Sequence, residues 1–195
     1  GVRLSDKLDL YFCLHNQSGS PMPERMSTNS EHTRVTILGV GDDTLGDAGL
    51  PIRALQAISP QPGAGPAVID LIELRHLQME DALKLRGAAL VLFVDASAAV
   101  KPPYEFRELP HPSSQPPANL HDALTPMDLL RVVATMDRQS APPTGFTLTL
   151  CGERFERGSG LSAPALARQD NAIELIEELL ENPNGDFWRS YINAG

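Results

Sequence analysis

The run Val35-Thr36-Ile37-Leu38-Gly39-Val40-Gly41-Asp42-Asp43-Thr44-Leu45-Gly46-Asp47 constrains the fold more than any other stretch of the 195 residues. Its apolar, β-branched half reads as a strand and its glycines as a tight turn. Leu50 to Ile58 follows, with Leu50, Ile52, Leu55 and Ile58 suited to one helical face. A strand, a turn and a helix, with acids released at the strand's end, predict an open α/β sheet that binds along that edge. Nucleotide-binding turns begin in the same way, but the details argue against one. The dinucleotide glycine pattern needs a third small residue at position 44, where Thr44 stands. Asp42, Asp43 and Asp47 would also oppose a phosphate, which needs free backbone N–H groups. A cation, or a ligand carrying one, suits this turn better.

The pattern from Arg34 onward alternates strands and helices. A strand over Ala67–Leu74 is expected after the Pro/Gly loop from Ser59 to Pro66, then a short helix over Gln78–Arg86 capped by Gly87. The continuous apolar run Ala88–Val94 predicts a strand buried on both faces that stops at Asp95. Tyr104–Leu109, flanked by prolines, reads as a short edge strand, and the stretch to Pro117 as a proline-rich loop. A helix from Thr125 to Arg138, a strand over Phe146–Cys151 and a long helix capped by Ser162 complete the core. Phe187 to Tyr191 reads as a short tail.

The expectation is a single three-layer, doubly wound α/β domain over 34–195, with a mostly parallel sheet of about five strands and helices on both faces. Residues 1–33 read as a poorly ordered N-terminal extension, polar from Gln17 to Glu31. Met26 is a candidate native start; alternatively the arm is genuine and Leu8 to Leu14 docks somewhere.

A net charge of −9 argues against nucleic acid or an anionic membrane as partner. No apolar run approaches the roughly 18 residues of a membrane span, and no signal peptide is visible. Two cysteines, Cys13 and Cys151, are too few for a disulfide framework, which points to a reducing cytoplasm. A monomer is expected.

Three polar residues share one address. Asp47 follows the first strand, Asp95 ends the third, and His121 precedes a helix, so all three are expected above the C-terminal edge of the sheet. Two carboxylates and an imidazole suit a divalent ion of the nickel or zinc type. The bland alternative makes Asp95 a strand-end acid and His121 an exposed loop residue. Cys151 reads as a small core hydrophobe, and His32, His76 and His111 as surface residues.

ILGVGDDTLGDAGLPIRALQAI resembles the opening of the hydrogenase maturation endopeptidases, which trim the C-terminal tail of nickel-iron hydrogenase large-subunit precursors. LVLFVDA is similar to their third strand with its terminal aspartate. Leu120-His121 with Met127-Asp128-Leu129-Leu130 resembles their histidine loop and following helix, and Gly158-Ser159-Gly160-Leu161-Ser162-Ala163-Pro164 their segment before the last helix. The likeness spans roughly residues 34–181. It departs in four places: Asp42 stands where the family has Asn, Ala48 falls on the family's second acid, Asp70-Leu71-Ile72-Glu73 replaces a D-G-G-T turn, and one residue is inserted between His121 and the helix acid Asp128.

The resemblance implies an endopeptidase that acts after nickel insertion, with nickel carried by the precursor and engaged by Asp95 and His121. The third ligand is missing, or is supplied by Asp47 or Asp42; the full expected set is Asp47, Asp95 and His121. Ala48 motivates an alternative, a non-cleaving relative that binds the precursor or an assembly factor. An unrelated small-molecule α/β hydrolase is the third reading.

Overall fold

The apolar run at the head of the domain is strand β1 (Thr33–Val40), which lies inside a five-stranded sheet. The other strands are β2 (Ala67–Leu74), β3 (Leu90–Ser97), β4 (Tyr104–Glu108) and β5 (Thr144–Cys151). Across the sheet their order is β2-β1-β3-β5-β4. β1 pairs in parallel with β2 and β3, and β3 with β5; β4 runs antiparallel along β5 as the expected edge strand. The computed structural model describes residues 33–58, 67–113, 124–137 and 140–192. Contacts divide the chain into Gly1–Glu31 and His32–Gly195, and this sheet belongs to the second unit. Apart from Thr33, the expected N-terminal extension lies outside the described residues, as do Leu8–Leu14, Met26 and the loop 59–66.

Helices cover both faces. On one, Val35, Ile37, Leu92, Val94, Phe146 and Leu148 pack against α1 (Leu50–Ala57) and α3 (Ala163–Glu181). On the other, Leu38, Val91 and Phe93 meet α2 (Pro126–Met136) and a 3-10 segment, Met79–Leu85. β1 and β3 supply residues to both cores, which is why their sequences lack polar alternation.

Local chemistry sets the helix ends. Thr125 caps α2, its hydroxyl accepting the Asp128 N–H at 3.2 Å while the Asp128 carboxylate accepts the Thr125 N–H. Pro126 occupies the first turn, where no N–H is needed.

The expected short helix over Gln78–Arg86 is present as the 3-10 segment, with Gln78 and Arg86 as its caps. Two expectations need correction. Asp70 to Glu73 lie within β2, paired with Thr36 to Gly39, so the turn after that strand is built from Arg75 onward. The C-terminal stretch is no loose tail: it forms α4 (Gly185–Ser190), with Trp188 fully buried. The Trp188 indole N–H donates to the Leu179 carbonyl at 2.8 Å, and its ring meets Phe146 at a 5.1 Å centroid distance. That pins α4 to the core, because a buried indole needs both a partner and a packed face.

Among the described residues no helix is long and apolar enough to cross a membrane.

Candidate functional site

The two innermost strands part company at Asp95. β1 pairs with β3 as far as Gly39 opposite Val94, and then its chain turns away through Gly41. β3 does not stop there, as the sequence suggested; it continues to Ser97 because β5 stays beside it up to Cys151. Asp95 therefore faces Thr149 on one side and the departing turn on the other. β1 leads outward to β2, and β3 leads toward β4 and β5, so this is the topological switch point of the sheet. Open α/β sheets form their binding crevice there.

The Asp95 side chain is exposed. Among the described residues its one donor is the Ala96 N–H, at 2.7 Å from Oδ1. The surrounding chain still removes enough water to raise its carboxyl pKa, an effect the Ala96 N–H offsets only in part. Strand alternation places Asp95 on the side of Val91 and Phe93, the face covered by α2.

Asp47, expected as the third ligand, is held by donors of its own chain. It sits in a 3-10 turn, Gly46–Gly49, and is fully buried. Its Oδ2 accepts the backbone N–H groups of Glu153 at 2.7 Å and Arg154 at 2.9 Å, and the Ser162 hydroxyl at 2.8 Å. Its Oδ1 accepts the Ser162 N–H at 2.7 Å, and its own N–H donates to the Arg154 carbonyl at 2.7 Å. Burial pushes the Asp47 pKa up, but these hydrogen bonds outweigh it and the net shift is downward. The carboxylate ties the turn after β1 to the loop between β5 and α3. Gly46 makes the approach possible: its φ is +58°, and a Cβ there would lie 2.5 Å from the Arg154 carbonyl oxygen.

Asp42 stands at the rim. Its Oδ1 accepts the Thr44 N–H at 2.9 Å and hydroxyl at 2.7 Å, and Arg75 Nη2 lies 3.0 Å from Oδ2. The Thr44 contacts, reinforced by Arg75, lower its pKa to about 2. The Asp42 N–H donates to the Ala48 carbonyl at 3.1 Å, closing the turn. A Cβ on Gly41 would lie 2.1 Å from that same oxygen, so only glycine fits. Ala48 itself offers a methyl group and no donor atom. Arg75 was not legible as a partner of Asp42, since the two are 33 residues apart and share no motif.

His121 lies outside the described residues. Among those described, no three His, Cys, Asp or Glu side chains gather closely enough to hold an ion. His76 and His111 are exposed. Cys151 is a buried free thiol, as expected, and Arg168 Nη1 points at its sulfur from 3.5 Å.

No family model and no curated protein matches the sequence. Solved structures do match the fold. The [NiFe] hydrogenase maturation protease HycI of Thermococcus kodakarensis aligns at TM-score 0.55 and 20% identity, over 77% of this chain and 94% of that one. The hydrogenase maturating endopeptidase HybD of E. coli aligns at 0.56 and 19%, over 76% and 93%. HybD of T. kodakarensis aligns at 0.56 and 17%, over 76% and 99%. The likeness is one of fold, and it extends over nearly the whole of each of those chains.

Proposed function

We propose that this chain is an endopeptidase of the hydrogenase maturation type, one that removes the C-terminal tail of a nickel-iron hydrogenase large-subunit precursor after nickel insertion. The observation that carries the reading is Asp95: an open, partly desolvated carboxylate at the switch point of a sheet shared with such proteases. In this reading nickel arrives with the substrate, and Asp95 and His121 engage it. The chain acts as a monomer in the cytoplasm.

The chemistry of the donors agrees with a metal brought from outside. Asp47 is saturated by internal donors, Asp42 is paired with Arg75, and the Ala48 side chain carries no ligand atom. One open carboxylate with one imidazole makes a weak site alone, but it suffices to complete an ion whose other ligands belong to the substrate. A bound nickel supplies Lewis acidity toward a carbonyl or a water. The chain's own part is to fix Asp95 on a rigid strand, leave its Oδ2 without a donor among the described residues and orient the tail across the sheet edge.

Deleting the gene from a source strain that makes a nickel-iron hydrogenase tests this. The large subunit should accumulate at full length and return to mature length on complementation. Normal maturation in the deletion strain would overturn the reading. A complex with the precursor that forms without shortening it would move the chain to a binding module.

A further inference from the structure

Among the described residues the outer edge of β2 is open. It is the first strand of the sheet, and among the described residues nothing pairs with its far side. The Gly41 N–H donates to the Leu74 carbonyl at 2.8 Å, so Leu74 and the residues two and four before it turn their backbone groups toward β1. Ile69, Leu71 and Glu73 then turn theirs outward. Exposed edges are usually blunted by charged side chains, proline or a bulge. β2 reads AVIDLIEL, with two acids but neither proline nor lysine, and its eight residues pair with β1 without a break. Its two acids are already engaged within the chain, Asp70 by Arg34 Nε at 2.7 Å and Glu73 by Gln56 Nε2 at 3.2 Å. Val68 is left 47% exposed.

From this edge we infer that β2 is the docking rail for the substrate: an extended segment of the precursor's tail, neutral or basic in net charge, adds to it as a sixth strand. The inference rests on the endopeptidase reading above. A row of alternating N–H and C=O groups is satisfied only by another extended chain. Position favours the substrate, because the rail ends at Leu74 beside the turn that follows β1, where Arg75 touches Asp42, on the same C-terminal edge of the sheet as Asp95. Charge disfavours a second copy of this chain, since each carries a net −9.

Proline at an outward-facing edge position removes a donor without breaking the ladder to β1, and this gives the test. A fluorescently labelled synthetic peptide with the precursor's tail sequence is titrated into the full chain, its Glu73→Pro variant and its Glu73→Ala variant. The same peptide N-methylated at alternate residues serves as the backbone control. The wild type and Glu73→Ala should bind alike; Glu73→Pro and the methylated peptide should each lose about tenfold or more, with an unchanged circular dichroism spectrum. Protection of the Ile69, Leu71 and Glu73 amides from hydrogen exchange should accompany binding. Equal binding by Glu73→Pro, no loss on methylation, or no binding to the wild type overturns the inference. Cleavage of the whole precursor by the wild type is read separately: a protein that cuts but does not use this edge keeps its function and loses the rail.

Discussion

Ser162 donates twice to Asp47, through its N–H at 2.7 Å and its hydroxyl at 2.8 Å, across 115 residues of sequence. The same hydroxyl accepts the Ala165 N–H at 3.3 Å and so starts α3. One serine thus joins the turn after β1 to the helix that covers that face of the sheet. Asp47→Ala would strand the donors from Glu153, Arg154 and Ser162. The expected loss is about 3 kcal/mol or more, because each unsatisfied buried donor costs roughly 1–3 kcal/mol. Urea unfolding measures it, and a negligible shift in midpoint would refute the anchoring role.

The same carboxylate predicts an acid dependence. Its folded pKa lies below the ordinary 3.8, so its contribution is fully present above that value and disappears as pH falls through the lowered folded one. The stability gap between wild type and Asp47→Asn should therefore be constant near neutrality and close only below about pH 4. A gap that closes near pH 6 would contradict the assignment.

Asp42 offers an ordering of effects. Thr44 contributes more than Arg75 to holding its pKa at about 2. Carboxyl titration by NMR should show the Asp42 pKa rising in Thr44→Val and rising further when Arg75→Ala is added. An unchanged pKa in Thr44→Val would mean that the turn does not hold this carboxylate.

Asp95 should behave in the opposite sense to Asp47. Its folded pKa is raised, so its charge opposes folding above that pKa and the penalty fades as pH falls. Asp95→Asn should then fold with equal or slightly higher melting temperature at pH 7 while losing all processing. A marked drop in melting temperature would make Asp95 a structural residue.

The strands were readable because burial on both faces leaves a chemical mark: AALVLFV tolerates no polar residue along β3 until Asp95. The edge strand β4 was readable from its prolines and weak alternation, and the start of α3 from Ser162. What could not be read depends on contacts far apart in the chain. Nothing near Asp47 announces that Glu153, Arg154 and Ser162 enclose it, and a carboxylate after a glycine turn looks alike whether it faces solvent or the interior. The extension of β3 to Ser97 is set by β5, its partner, and not by its own residues. Trp188 is not legible as a core residue because its pocket is made by Phe146 and Leu179, which belong to other elements.

The central claim is most directly tested by intact-mass measurement of purified large-subunit precursor, loaded with nickel or nickel-free, after incubation with the wild type or Asp95→Ala. The account predicts a single loss of mass, equal to the C-terminal tail, only for loaded precursor with the wild-type chain. An unchanged mass in that sample beside a working control protease, or equal shortening by Asp95→Ala, would contradict it.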